Sequence, residues 1–286
     1  NGYDVWARFL NADGTEAVAE FRVNKTHVSG SQYEPSVSAL DGGGFVVAWR
    51  NDNGNSHNDG TGAGSGYDVW ARAFNADGTQ VTPEFRVNSY TGGSQYQPSV
   101  AGLDGGGFVV VWEDHSGHGG NSYDIFGQRY GSSGDRVGDE FLVNAAVNSG
   151  YQYQSSVAGL EGGGFVVAWM DDSGSSHDDG TGTGSSDDIW ARVYNADGSV
   201  AVSDFRMNTY KNNDQQNPSV TGLANGGFAA SWESYQQDGS NDSIAGRVYD
   251  ASGSPLTTAD FVINTQTSGQ QYYPEMATLS DGKSRK

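Results

Sequence analysis

The chain has 286 residues and no cysteine, and its 35 acidic residues against 15 lysines and arginines give a formal net charge of −20. The lack of cysteine excludes disulfides, thiolate metal sites and cysteine nucleophiles. The acidity argues against nucleic acid and anionic membranes, because both need a basic surface. Because no apolar stretch approaches the ~18 residues that span a bilayer, we expect no membrane insertion.

Four kinds of segment follow one another from the start of the chain. DVWARFLNADG (Asp4–Gly14) combines β-branched and aromatic residues with a tight-turn sequence and predicts a strand. FRVN, which ends at Asn24, predicts a shorter strand. QYEPSV begins at Gln32 and leads into a strand whose first residue tolerates proline. GGFVVAW (Gly43–Trp49) is a dense apolar run after glycines, and no segment has the apolar spacing of a helix.

The same segments return along the whole chain and define one repeated unit of four strands. We label them A (PSVAGL), B (GFVVAW), C (DVWARVYN) and D (FRVN). Long and short units alternate, which indicates a duplicated pair. The length difference lies in the B–C loop, which is long at 50–67 and 170–187 and short at 113–123 and 233–242. The asparagine of segment D recurs at Asn24, Asn88, Asn144, Asn208 and Asn264, and the tryptophan of segment B at Trp49, Trp112, Trp169 and Trp232.

Four short strands in about 50–65 residues match one blade of a β-propeller. Blades bury both faces against their neighbours, which explains why Phe45–Trp49 leaves little room for polar residues. We therefore predict an all-β, five-bladed propeller of four short antiparallel strands per blade, as a single domain over residues 1–286. The predicted units are residues 1–24 with 271–286, 32–88, 95–144, 152–208 and 215–264.

The predicted fifth blade joins both ends of the chain, with strands C and D from the start and strand A (Tyr272–Leu279) from the end. The last unit reads LSDGKSRK where strand B is expected. The ring therefore closes with an incomplete blade, or the sequence was cut there, or the ring is larger. Because residue 1 falls inside a repeat, we expect the chain to be part of a longer protein.

The D–A and B–C loops share one face of a propeller, and their variability predicts a binding face there. The acidic, glycine-rich loops 51–66 and 171–186 suit calcium, which prefers six to eight oxygen ligands. Their alternative is an ordinary polar loop in which Asp and Asn favour turns. His57 and His177 in these loops could instead ligate a transition metal, whereas His115 and His118 are expected to be exposed to solvent. The predicted calcium ligands are Asp52, Asp59, Asp172, Asp178 and Asp179.

A glutamine–tyrosine pair opens strand A in four of the units. An amide beside an aromatic ring can hydrogen-bond sugar hydroxyls and stack on a sugar ring, which predicts a glycan-binding surface. The alternative to glycan binding is a structural role, in which the glutamine caps backbone groups of the D–A turn and the tyrosine packs within the protein. The predicted ligand-binding residues are Gln32, Tyr33, Gln95, Tyr96, Gln152, Tyr153, Gln271 and Tyr272.

Catalysis on sugars would need two unlike carboxylates, and such a pair must break the repeat symmetry. Glu113 and Glu233 do so, because Arg50 and Met170 stand at the same position in the other units. They are the candidate catalytic residues. A GxSxG elbow, a P-loop and an HExxH motif are all absent from the sequence.

The unit GGFVVAW … DIFGQRY or DIWARVYNADG … FxVN … QxxPSVAGL resembles repeats of large secreted calcium-binding proteins and adhesins of Gram-negative bacteria, of the hemolysin or repeats-in-toxin type. The resemblance covers essentially the whole chain. It implies type I secretion, an extracellular or cell-surface location and calcium-dependent folding. The tandem nonapeptide GGxGxDxUx of the calcium β-roll is missing, and only Gly119–Phe126 comes near it. No calcium ligand is therefore carried over.

These observations lead to one main functional hypothesis and two alternatives. We expect a non-enzymatic, extracellular binding or adhesion module that recognises a polysaccharide or cell-surface glycan and has calcium-stabilised loops. The first alternative is a secreted polysaccharide-active enzyme, a glycoside hydrolase or lyase. The second is a structural spacer or surface-array domain.

Overall fold

The computed structural model describes residues 2–26, 30–52, 66–147, 150–172, 187–239 and 241–278. All secondary-structure elements in these residues are β-strands, which confirms the all-β prediction. No described segment forms an apolar helix long enough to cross a membrane.

The strands, numbered in chain order, form one two-stranded and four four-stranded sheets. The first sheet contains β1 (Trp6–Leu10) and β2 (Glu16–Arg22). The second contains β3 (Ser31–Ala39), β4 (Phe45–Asp52), β5 (Asp68–Phe74) and β6 (Phe85–Arg86). The third contains β7 (Gln95–Gly102), β8 (Phe108–Asp114), β9 (Asp124–Tyr130) and β10 (Arg136–Leu142). The fourth contains β11 (Tyr151–Gly159), β12 (Phe165–Asp172), β13 (Asp188–Tyr194) and β14 (Val200–Arg206). The fifth contains β15 (Gln215–Gly222), β16 (Phe228–Tyr235), β17 (Asp242–Tyr249) and β18 (Phe261–Val262).

Each four-stranded sheet is one repeat with its strands in the predicted order A, B, C, D. Strands B and C pair antiparallel in the same register each time, with Trp49 opposite Trp70 and Trp169 opposite Trp190. The sequence repeat therefore marks a structural repeat.

Strand D differs in length between repeats. It has seven residues in β2, β10 and β14 but two in β6 and β18. Pro83 precedes β6 and Pro255 precedes β18. Proline has no N–H to donate to a sheet, which interrupts the ladder before β6. Pro255 instead pairs with Tyr249 in an isolated bridge ahead of β18.

The C-terminal strand A is a wrong prediction. Residues 271–278 contain no strand, and the first sheet consists of β1 and β2 alone. A strand needs a hydrogen-bonded partner, and LSDGKSRK does not supply the apolar strand B that partners strand A in the other repeats. The segment is held by side chains instead, because the Met276 N–H donates to Ser219 Oγ at 2.9 Å.

Strand A begins at the glutamine or one residue before it, earlier than predicted. It contains a bulge before the PSV segment. The bulge residue has a left-handed backbone, which is unfavourable for a residue with a side chain. A glutamate of the preceding repeat accepts the N–H of this residue, from Gln97 to Glu34 at 2.9 Å and from Gln154 to Glu113 at 2.5 Å. Tyr273, in the segment without a strand, donates its N–H to Glu233 in the same way at 2.5 Å. The residues with a left-handed backbone at this position, with φ between 45° and 53°, are Glu34, Gln97, Gln154, Asn217 and Tyr273.

The chain forms two compact units, Asn1–Ser155 and Ser156–Lys286. In the first unit, β4 buries both of its faces. Phe45, Val47 and Trp49 pack with residues of the first sheet, whereas Val46 and Ala48 pack with residues of the third. This double burial explains the unbroken apolar run, and truncating a fully buried tryptophan such as Trp49 to alanine would cost about 3–5 kcal/mol.

Candidate active site

A buried asparagine ties together the strand ends on the side of the variable loops. In the third sheet, Asn144 Oδ1 accepts the Ile125 N–H at 2.8 Å, and its Nδ2 donates to Asp124 Oδ1 and Gln152 Oε1, both at 2.9 Å. These bonds fix the start of strand C, the end of strand D and the start of the next strand A. The same contacts recur at Asn24, Asn88 and Asn208.

The glutamines of the predicted glycan-binding pairs belong to this framework. Gln32, Gln95 and Gln152 are at most 3% exposed and contact the framework asparagines. Their amides are therefore buried and already bonded within the protein, and ligand binding by these glutamine–tyrosine pairs stays a prediction. Gln271 is half-buried, and Tyr272 beside it is exposed.

The residue before segment C faces the residue that follows the glutamine in the next strand A. In the first unit both positions are tyrosine in all three cases, and the ring centroids lie 5.2 to 5.6 Å apart. The pairs are Tyr3 with Tyr33, Tyr67 with Tyr96, and Tyr123 with Tyr153.

In the second unit the position before segment C is an aspartate in both cases. Gln216 Nε2 donates to Asp187 Oδ2 at 2.6 Å, so that an acid and an amide replace two tyrosines. Asp242 replaces the next tyrosine and interacts with Tyr272 by a hydrogen bond. Its Oδ2 also accepts Gln270 Nε2 at 3.3 Å. The repeat symmetry is therefore broken by two aspartates on the variable-loop side.

Asp187 is held firmly and is surrounded by acids. Its backbone oxygen accepts the Gln215 N–H at 2.9 Å. Burial raises the pKa of Asp187 to about 6, and the nearby negative charges of Asp214, Asp172 and Asp171 add to this effect, whereas the Gln216 hydrogen bond opposes it. A carboxyl group with this pKa keeps its proton at mildly acidic pH.

Neighbouring strands of the fifth sheet bring further acids to the same edge. Gln216 lies opposite Glu233, and Tyr235 lies opposite Asp242. With Asp214 they line a cavity of about 50 Å³, which has room for a water molecule or two. Glu233 is 6% exposed and is oriented by the Tyr273 N–H. We call Asp187, Asp214, Glu233 and Asp242 the carboxylate cluster.

Glu113, the other predicted catalytic residue, has a different setting in the first unit. It is 2% exposed and accepts both the Gln154 N–H at 2.5 Å and His115 Nε2 at 3.1 Å. The His115 ring lies 4.4 Å from that of Tyr96 and 3.9 Å from that of Tyr123. His115 is thus packed among tyrosines, contrary to the prediction that it is exposed.

Arg50 stands where Glu113 and Glu233 stand in other repeats, and its guanidinium packs against the rings of three tyrosines. Its guanidinium carbon lies 4.7 Å from the Tyr33 ring, 4.6 Å from the Tyr67 ring and 5.1 Å from the Tyr96 ring. Arg50 also pairs with Glu34 at 2.9 Å. These half-buried tyrosines therefore pack within the protein as well as facing the loop side.

The predicted calcium ligands fall mostly outside the described residues. Asp52 ends β4 and Asp172 ends β12, whereas Asp59, Asp178 and Asp179, like His57 and His177, are not among the described positions. Within the described ranges no three histidine, aspartate or glutamate side chains are grouped to hold a metal ion. The described residues alone do not form a calcium site, and calcium binding stays a prediction.

No protein-family model matches the chain, and no curated protein is significantly similar to it in sequence. Solved structures of an arabinanase, an arabinofuranosidase and a sialidase do match its fold. An α-L-arabinanase of Penicillium chrysogenum, complexed with arabinobiose, is 14% identical with a TM-score of 0.56, over 92% of this chain and 74% of that one. An α-L-arabinofuranosidase of Fusarium graminearum, complexed with an iminosugar inhibitor, is 11% identical with a TM-score of 0.55. The match covers 91% of this chain and 73% of the arabinofuranosidase. A Hadza microbial sialidase is 10% identical with a TM-score of 0.54, over 92% of this chain and 53% of its own.

These matches share the fold at low sequence identity, and they correct the main functional prediction. The expectation of a non-enzymatic binding module is contradicted, since the matched structures described above are those of an arabinanase, an arabinofuranosidase and a sialidase. The alternative of a polysaccharide-active enzyme agrees better with them.

Three members of the carboxylate cluster were missed in the sequence. The search for acids that break the symmetry considered only the position after the strand B tryptophan. Comparing the position before strand C would have shown Asp187 and Asp242 in place of Tyr67 and Tyr123. Asp214 could be recognised only once the strand ends were placed.

Proposed function

We propose that the protein is a glycoside hydrolase that cleaves a polysaccharide at the carboxylate cluster, and that its repeats are the blades of a five-bladed propeller. The observation that carries this proposal is that Asp187, an acid with a raised pKa, is hydrogen-bonded to Gln216, which lines a cavity together with Glu233 and Asp242. The fold likeness to glycoside hydrolases supports the reaction class.

The two carboxyl groups have different tasks in this proposal. Asp187 donates its proton to the glycosidic oxygen as the bond to the sugar carbon breaks. Glu233, oriented by the Tyr273 N–H, attacks that carbon or takes a proton from a water molecule that attacks it. Water supplies the hydroxyl group of one product and the proton that returns to Asp187. Asp214 assists by favouring the protonated form of Asp187.

The charge of the site points to an uncharged glycan as substrate. The described residues that line the cavity include three acids and no lysine or arginine. Two further acids, Asp171 and Asp172, act on Asp187. A sugar acid would be repelled by this arrangement, whereas a neutral sugar can accept and donate hydrogen bonds to it.

The test is the release of reducing sugar from arabinan, arabinoxylan, mannan, polygalacturonate and a sialylated oligosaccharide at mildly acidic pH. We expect hydrolysis of a neutral polymer and at least a ~100-fold loss in Asp187→Asn and in Glu233→Gln. Glu113→Gln, the matched change in the first unit, is the control and keeps the activity. Absence of hydrolysis across the panel, or full activity in Asp187→Asn, would refute the proposal.

A further inference from the structure

A cavity of about 470 Å³ opens on the third sheet, within the first unit. It shares no residue with the carboxylate cluster. Small-molecule sites in proteins have volumes of about 300–1,000 Å³ and combine aromatic walls with a few polar groups. The cavity is lined by Tyr90, His118, Phe126, Arg136, Asp139 and Glu140, together with a serine and a glycine.

One wall of this cavity is a stack of three rings. The Tyr90 and His118 rings are parallel within 6°, with centroids 4.1 Å apart, and the Phe126 ring lies 5.6 Å beyond His118. A side chain at Gly92 would approach the Tyr90 ring to 2.7 Å, so glycine there gives the ring its room. The wall is therefore set by packing before any ligand arrives.

The charged groups Arg136 and Glu140 of the lining already form hydrogen bonds within the protein. Arg136 donates to Ser89 Oγ at 2.9 Å and to Gln128 Oε1 at 2.8 Å. Glu140 accepts the Ser89 N–H at 2.6 Å, and burial raises the pKa of Glu140. These bonds leave neither a free cation nor a free anion site at the back of the cavity.

Two polar groups in the lining remain available. The ring nitrogens of His118 and the carboxylate of Asp139 form no hydrogen bond to any residue that the structure describes. They offer a donor, an acceptor and a carboxylate beside aromatic ring edges. Because Arg136 and Glu140 are already bonded and His118 and Asp139 offer hydrogen-bond donors and acceptors, the complementary ligand is uncharged and rich in hydroxyl groups.

The corresponding place in the second unit provides an internal comparison. There Tyr210 takes the position of Tyr90, but its hydroxyl donates to the Gln236 carbonyl at 3.4 Å. Ala245 stands where Phe126 stands in the third sheet. The three-ring wall is thus a feature of one repeat and not a requirement of the repeat itself.

We propose that this cavity is a second, non-catalytic binding site for a neutral saccharide unit. Its role is to hold a glycan chain on the protein independently of cleavage. The proposal stands on residues of the first unit alone and does not depend on the assignment of the catalytic acid.

The experiment is calorimetric titration of the full chain carrying Asp187→Asn with arabinotriose, xylotriose and mannotriose. We expect at least one probe to bind, and His118→Ala to weaken one binding site about tenfold. Tyr210→Phe, which changes the counterpart of Tyr90 in the second unit, is the control and keeps the affinity. Because His118→Ala also removes a stacked ring, His118→Phe serves as the second variant. It keeps the stack, loses both nitrogens and is expected to weaken binding about threefold to tenfold.

The result that overturns the proposal is binding of no probe, or binding whose affinity is the same in both His118 variants. Circular dichroism shows that each variant is folded, so a loss of binding cannot be a loss of structure. Failure of the hydrolysis test would leave this titration unaffected, and the two outcomes are therefore distinguishable.

Discussion

Asp187→Asn is expected to abolish hydrolysis and at the same time to stabilise the folded protein. In the native state the pKa of Asp187 is about 6, against an ordinary value of 3.8. Between these two pH values the native state binds more protons at this group than the unfolded state does. The free energy of unfolding therefore falls as the pH rises through this interval.

The size of the effect follows from the pKa difference. One pKa unit corresponds to about 1.36 kcal/mol, so a rise from 3.8 to about 6 sets an upper limit of about 3 kcal/mol. Asp187 is partly exposed, and solvent screening reduces this to about 1–2 kcal/mol. Asparagine carries no charge, so the variant is expected to gain about this amount at pH 7 and nothing at pH 4.

Urea denaturation between pH 4 and pH 7 measures this difference directly. Asp77→Asn is the control, because Asp77 is a fully exposed turn residue whose pKa is lowered by hydrogen bonds from Thr79. The control should keep the loss of stability that wild type shows between pH 4 and pH 6. If Asp187→Asn and wild type lose stability in parallel across this range, the raised pKa and the role of Asp187 as acid are both wrong.

Three further changes test other parts of the molecule. Asp214→Asn removes a negative charge that raises the pKa of Asp187, so the alkaline limb of the pH–activity profile should move to lower pH. Asn144→Ala removes the partner of the Ile125 N–H and of the Asp124 carboxylate, so we expect it to lower the free energy of unfolding by about 3 kcal/mol in denaturant titrations. Asn75→Ala, at an exposed turn, is the control and should lower it by less than about 1 kcal/mol. Calcium bound by loops 51–66 and 171–186 would stabilise only the folded form, so a chelator should lower the melting temperature, and an unchanged value would contradict the prediction.

The strand content was predictable because each segment carries its own local signal. NADG marks the turn between strands C and D, and FVVAW marks a strand buried on both faces, as β4 is. Strand D lengths were not predicted, since a proline such as Pro83 acts through the hydrogen bonds of the neighbouring strand. The failed C-terminal strand has the same origin, because pairing depends on a partner elsewhere in the chain.

The candidate site was less predictable than the fold. Glu233 was identified because it breaks the repeat, but Glu113, chosen on the same ground, accepts a backbone N–H and bonds a histidine packed among tyrosines. What distinguishes Asp187 is its environment of burial and neighbouring acids, which no single position in a sequence displays. The framework glutamines show the same limit: Gln95 has a side chain that suits sugar binding, but the structure places it in the interior.

The glutamates that accept the bulge N–H groups give the repeat array a direction. Glu34 belongs to the repeat before Gln97, and Glu113 to the repeat before Gln154. During synthesis the upstream sheet is complete before the downstream strand leaves the ribosome. Each finished sheet can therefore act as the template on which the next one starts, and the array is expected to assemble from its amino end toward its carboxyl end.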